Sequence, residues 1–162
     1  MASRKAGTPA LQALLRAGVA HNVHEYEHDP RVASFGLEAA NALGYPAERV
    51  FKTLIAADER YLAVGIVPVD VNLDLKALAT ALGRKKLTMA APTLAERTTG
   101  MIVGGISPIG QKRPLPTVVD SSALDHETIL VSGGRRGLDV ELAPSALIEL
   151  TGAATAPIAA RR

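Results

Sequence analysis

Nine residues near the middle of the chain, Val103-Gly104-Gly105-Ile106-Ser107-Pro108-Ile109-Gly110-Gln111, constrain its folding more than any other stretch. Three glycines and a proline so close together cannot continue a regular helix or strand. Glycine loses the most backbone freedom on ordering, and proline lacks an amide donor. Apolar runs at 101–103 and 117–120 read as strands on either side, which makes the segment a rigid loop between them. In such a loop the amides of Gly105, Ile106 and Ser107, with the Ser107 hydroxyl, would form a nest for a carboxylate, a phosphate or a developing oxyanion. A plain structural turn would need the same composition, and spacing alone does not choose between the two.

With 162 residues the chain is long enough for one domain and one core. Only 3% of it is aromatic, as Tyr26, Phe35, Tyr45, Phe51 and Tyr61, so the core must be aliphatic and each ring stands out as a possible ligand platform. No apolar run approaches the ~18 residues of a membrane span, and no apolar signal core follows the charged residues 1–7. Cysteine is absent, which removes disulfides, a thiolate nucleophile and zinc–sulfur ligation. A cytoplasmic location without a membrane partner is the expectation. A net charge of +2 argues against a protein that coats nucleic acid. The cations are nevertheless grouped, as Arg84-Lys85-Lys86, Lys112-Arg113, Arg135-Arg136 and Arg161-Arg162. Groups of this kind in turns fit a local phosphate contact, or simply solvated surface.

Helix and strand signals alternate along the chain. Thr8 caps and Pro9 opens a first helix with Leu11, Leu14 and Leu15 on its face and Gly18 as its stop. A strand is expected over 22–26, then a helix from Ser34 to Leu43 closed by Gly44. Residues 49–57 and 60–67 read as a hairpin about Asp58-Glu59. Asn72 or Asp74 starts a third helix carrying Leu75, Leu78 and Leu82, and Gly83 ends it. A short strand over 87–89 and a helix from Pro92 to about Gly100 precede the glycine loop. Beyond it come a strand over 117–120, a hairpin of 128–132 with 138–142, and a helix from Pro144 to Leu150. Alternation in 138–142 turns Leu138, Val140 and Leu142 inward and puts Asp139 and Glu141 on the other face. The expected organisation is a flexible leader (1–7), a single domain (8–152) and a flexible Ala-rich tail (153–162). Its class is α+β: a mixed, largely antiparallel, curved and barrel-like sheet with helices packed outside.

Among ionisable residues, Lys52 is the first to single out. It shares a strand face with Val50, Leu54 and Ala56, so its ammonium must reach the rim or lie in a polar pocket. His21, His24 and His28 invite a metal reading, but an extended chain turns His21 away from the other two, and no helical His-Glu-x-x-His motif is present. No metal or other cofactor is expected. Ser107 lacks the Gly-x-Ser-x-Gly surroundings of a nucleophilic serine and is followed by proline, which disfavours an acyl-serine mechanism.

Four segments together resemble the YbaK family: Tyr26-Glu27-His28-Asp29-Pro30, Phe51-Lys52-Thr53-Leu54, Gly104 to Lys112, and Val131 to Leu138. These are bacterial Cys-tRNA(Pro) deacylases related to the editing insertion domain of prolyl-tRNA synthetase. The resemblance spans residues 8–152 with the motifs in matching order. It implies a free-standing trans-editing aminoacyl-tRNA hydrolase that removes cysteine from proline tRNA, since a proline-sized pocket cannot strongly reject cysteine. It further implies that Lys52 sits at the terminal adenosine and the ester, and that residues 104–108 line the aminoacyl pocket. Thr53, Tyr26, Phe35 and Asp139 match pocket positions.

In this family the substrate's own thiol attacks its carbonyl and leaves as a thiolactone, a lyase-like outcome that needs no protein nucleophile. By that likeness Lys52 and the amides of Gly105, Ile106 and Ser107 carry catalysis, while Gly104 and Pro108 shape the substrate site. Lys85, Lys86, Lys112, Arg113, Arg135 and Arg136 are the expected tRNA contacts. The implied partners are the acceptor end of tRNA(Pro) and prolyl-tRNA synthetase, with neither DNA nor a membrane. The loop departs from the family in carrying Ile109 where leucine is common. Two other readings stay open: a non-catalytic module that grips the tRNA acceptor end and assists the synthetase, and a metal-dependent hydrolase built on His21 to His28.

Overall fold

Thr8 anchors the start of the fold in two directions. Its hydroxyl accepts the Leu11 amide at 3.2 Å and donates to the Gly133 carbonyl at 2.7 Å. The first helix, α1 (Pro9–Ala17), is thereby capped and pinned to a distant strand, and Gly18 ends it at φ 67°. Ala10, Leu11 and Leu14 are buried, whereas Leu15 is exposed. The computed structural model describes residues 7–32 and 34–160, so the expected leader (Gly7 apart) and the Arg161-Arg162 pair lie outside the described residues.

The largest sheet grows from the predicted hairpin. β2 (Phe51–Asp58) and β3 (Tyr61–Pro68) pair antiparallel through eight residues each, with the chain turning at Glu59 (φ 53°). Short β5 (Thr88–Met89) adds to the free edge of β2. On the other side β6 (Thr117–Asp120) and β9 (Ala154–Ala156) add in parallel, for the order β5-β2-β3-β6-β9. β3 is apolar on both faces because both are covered. A second sheet, entirely antiparallel, has the order β1-β8-β7, from β1 (Asn22–Glu25), β7 (Ile129–Arg135) and β8 (Leu138–Leu142). Among the described residues a single isolated parallel bridge, Val50 to Leu130, links the two. The class is α+β as expected, but the strands form separate sheets and no closed barrel results.

Four more helices and a two-stranded ribbon complete the frame among the described residues. α2 (Phe35–Leu43) follows Ser34 and ends at Gly44, although the Ser34 side chain makes no capping bond. β4 (Asn72–Leu73) pairs with β10 (Ala159–Ala160). Asn72 is therefore strand, and Asp74 caps α3 (Leu75–Ala81), its carboxylate accepting the Ala77 amide at 3.0 Å. α4 (Pro92–Thr99) precedes the glycine loop and α5 (Pro144–Thr151) follows β8.

Two expectations are corrected. Residues 154–156 and 159–160 are not a loose tail but strands. Ile158 between them is fully buried, and the buried Asp120 carboxylate accepts the amides of Ile158 and Ala159 at 2.9 and 3.1 Å. Residues 101–103 are a turn and not a strand, because side chains capture their amides. Met101 donates to the Thr99 hydroxyl and Val103 to the Glu96 carboxylate.

Candidate active site

A cavity of about 300 Å³ opens between β2, the start of α2, the start of α4, the glycine loop and the β7–β8 hairpin. Its lining is mainly apolar, with Phe35, Val50, Ile55, Pro92, Val103 and Ile106 among the walls. Few polar side chains enter: Tyr26, Ser34, Lys52, Thr53, Ser132 and Asp139. Concave, mostly apolar and sparingly polar, it has the usual character of a small-ligand site.

These polar groups are unevenly partnered: Ser132 Oγ accepts the Gly134 amide at 3.2 Å, while others have no such bond. Lys52 is half-buried, and desolvation lowers its ammonium pKa against the opposing charge of Asp70. It makes no ion pair among the described residues. Asp139 is 5% exposed, its carboxyl pushed up to about 7 by burial, and among the described residues no hydrogen bond reaches its side chain. The Tyr26 phenol is pushed up to about 12, first by burial and then by the Asp139 charge. Thr53 Oγ1 is buried without a partner. Buried polar atoms are normally paired, which sets Thr53 Oγ1 and the Asp139 carboxyl apart from the other polar groups of the lining.

The glycine loop is arranged differently from the predicted nest. Gly104 stands at φ 90°, and a Cβ there would lie 2.7 Å from the Phe35 ring, so only glycine fits. Gly104 and Ile106 line the cavity; Gly105, Ser107 and Pro108 do not. The Gly105 amide donates to the Ile102 carbonyl at 2.8 Å. The Ser107 amide is directed at Met101 Sδ, 3.2 Å away, and its fully buried hydroxyl accepts the Ile109 amide at 3.1 Å. The loop holds its own shape by closing on itself, which takes two of the three expected donors away from a ligand. Ile106 alone of the three has an amide without an acceptor among the described residues.

The expected tRNA contacts divide in the same way. Lys85, Lys86, Lys112 and Arg113 are exposed, and Lys85 and Lys86 precede the cavity residue Met89 by only a few positions. Arg135 instead pairs with Glu25 at 2.8 Å. Arg136 donates through Nε to the Val103 carbonyl at 2.9 Å and lies 4.6 Å over the Phe35 ring. The histidines go to separate partners: His21 to the Val19 carbonyl, His24 to Glu141 and His28 to Glu38. Among the described residues no group of three or more His, Cys, Asp or Glu could hold a metal ion.

Sequence reasoning passed over Ser132 and Met89. Ser132 lies within a quoted motif, next to the irregularity between Ser132 and Arg135, and the twin glycines there were the available signal. Met89, 47% exposed and at the mouth, carried none.

Residues 29–150 match the aminoacyl-tRNA editing domain family. The chain belongs to that family. EbsC of Enterococcus faecalis, a proposed Cys-tRNA(Pro)/Cys-tRNA(Cys) deacylase, is 43% identical over 113 residues, 69% of each chain. A proline–tRNA ligase of Geobacter metallireducens is 31% identical over 101 residues, which is 62% of this chain but 17% of the ligase. Among solved structures, a proposed trans-editing enzyme for prolyl-tRNA synthetase superposes with a TM-score of 0.85 at 28% identity. That match covers 99% of this chain and 100% of the other. The hypothetical protein APE2540 gives a TM-score of 0.83 at 25% identity, covering 94% of this chain and 99% of that one. The YbaK-type resemblance of the four motifs is borne out by these relatives. No helix among the described residues is long and apolar enough to cross a membrane.

Proposed function

We propose that this editing-family protein is a free-standing aminoacyl-tRNA deacylase that clears cysteine from proline tRNA. The observation that carries the reading is the cavity itself. It sets a half-buried ammonium, Lys52, and an unpartnered carboxyl, Asp139, in one apolar pocket, with no cysteine or histidine on its walls. That combination suits an ester with a cationic amine at one end and a ribose phosphate at the other.

In this reading Asp139 receives the α-ammonium, and Lys52 holds the 3′-terminal ribose or phosphate as a compact donor. The orphan Thr53 hydroxyl meets a polar atom of the aminoacyl group, and the Ile106 amide faces the carbonyl oxygen as charge develops there. No side-chain pair in the lining makes an activated hydroxyl, so the substrate's thiol is the nucleophile. Its sulfur bonds to the carbonyl carbon, the bond from that carbon to the 3′-oxygen breaks, and the thiol proton passes to the departing 3′-oxygen, which is released as a hydroxyl. Cysteine leaves as a thiolactone. Positioning and one oxyanion donor are all that the protein supplies.

The same relatives support the acceptor end of tRNA(Pro) and prolyl-tRNA synthetase as partners, with Lys85, Lys86, Lys112 and Arg113 as the free cations for phosphate. A non-catalytic module that only grips the acceptor end has one observation in its favour: the Gly105 and Ser107 amides are already engaged. Purified protein incubated with Cys-tRNA(Pro) decides between them. Ester loss that disappears when the substrate thiol is alkylated supports the enzyme; binding without ester loss supports the module. Replacing Lys52 with Ala should slow deacylation by roughly 100-fold.

A further inference from the structure

Arg136 and Phe35 belong to elements far apart in sequence, yet they meet at the cavity wall. Phe35 opens α2 and lines the cavity, as do Val103 and Gly104. Arg136, in the turn between β7 and β8, reaches both: its Nε donates to the Val103 carbonyl at 2.9 Å, and its guanidinium lies 4.6 Å over the Phe35 ring. Beneath it the loop sits directly on the turn, since a Cβ on Gly105 would come within 2.7 Å of the Arg136 nitrogen. Gly104 abuts the Phe35 ring just as closely, and the His28 ring lies 5.6 Å from it. One planar, donor-bearing side chain thus joins the hairpin, the glycine loop and α2.

We propose that Arg136 is a positioning residue that clamps the Val103–Gly104 backbone and the Phe35 ring into the cavity wall, and does not serve as a phosphate contact. A lysine cannot take this place, because it lacks both the Nε–H at that position and the flat face that stacks on an aromatic ring. This role rests on the deacylase reading for its kinetic consequence, but not for its structural one.

The test compares wild type with Arg136→Lys, which keeps charge and bulk, and Arg136→Ala. Deacylation of Cys-tRNA(Pro) is measured across substrate and salt concentrations, and hydrogen exchange of the Val103 and Gly105 amides is followed without substrate. The clamp predicts that both variants lose about tenfold in kcat, with KM within about twofold. It also predicts an unchanged dependence of kcat/KM on salt, and faster exchange at Val103 and Gly105 in both variants. A phosphate contact predicts the reverse: Arg136→Lys active, Arg136→Ala raised in KM with a shallower salt slope, and exchange unaltered. That pattern, or unaltered exchange alone, overturns the clamp. Should wild type leave the ester intact, the deacylase reading fails, while exchange still decides the clamp.

Discussion

Asp139 and Glu141 stand two residues apart on the same face of β8, and their surroundings drive them in opposite directions. Glu141 is a hub. Thr128 donates to it at 2.6 Å and Tyr45 at 3.2 Å, His24 Nε2 lies 2.9 Å away and Arg49 3.4 Å. Its pKa is held down to about 2, chiefly by the Thr128 bond and then by His24 and Tyr45, against some desolvation. Asp139 has burial without donors, and its pKa rises to about 7. His24 shows the divergence most directly: it is paired with Asp139 across the strands, but its ring reaches diagonally to Glu141. Two carboxylates of one strand face therefore do different work. Donors make Glu141 a brace between β1, β8 and the segment after α2; without them Asp139 is left with burial alone, which raises its pKa.

The comparison is most severely tested at Asp139. Asp139→Asn should lower deacylation of Cys-tRNA(Pro) by about 100-fold, the usual scale for losing a charged contact to the reacting group, while the fold survives. Near-normal turnover would break the contrast. The same variant should be more stable than wild type at pH 8, by at most about 4 kcal/mol in urea unfolding. The sign follows from a folded pKa raised above the unfolded value near 4: the ionised form is disfavoured in the folded state. Stability is lost as pH rises from about 4 to about 7, so the gain should vanish at pH 4 and below.

Glu141→Gln should act oppositely, costing about 2 kcal/mol at pH 7, the scale of hydrogen bonds to a charged group. Deacylation per folded molecule should stay within a few-fold of wild type. Because the folded pKa is depressed, this contribution is present above about 4.5 and fades as pH falls toward 2. Urea midpoints from pH 7 to pH 3 would show the difference shrinking. The smallest effect is expected from His24→Ala, about 0.5–1 kcal/mol, since Glu141 keeps its other donors. A loss as large as that of Glu141→Gln would make His24 the centre of the brace.

Much of the frame was legible because local chemistry dictates it. Thr8-Pro9 and Gly18 bound the first helix, Asp74 caps the third, and continuous apolar runs mark the β2–β3 hairpin. Alternation placed Asp139 and Glu141 together correctly, but it could not tell a donor-rich end of the strand from a donor-poor one. The loop is legible as a loop, yet two of its three expected donors, the Gly105 and Ser107 amides, turn to acceptors inside it. The acceptors that take them, Ile102 and Met101, lie within six residues and reveal themselves only once the backbone has turned. The tail misled for a similar reason. Alanine and proline give no strand signal, and the partners that order it are Asp120 and β6.

By itself the sequence determined where helices begin and end, which runs are buried, and which motifs place the chain in the editing family. Those properties depend on neighbours a few residues away, or on short motifs read directly in chain order. Tertiary structure decided which amide is left without an acceptor, which carboxyl is left without donors, and which arginine is engaged in holding a wall. Each of these depends on what stands within about 3 Å in space, and residues more than a hundred positions apart, such as Thr8 and Gly133, meet at that range.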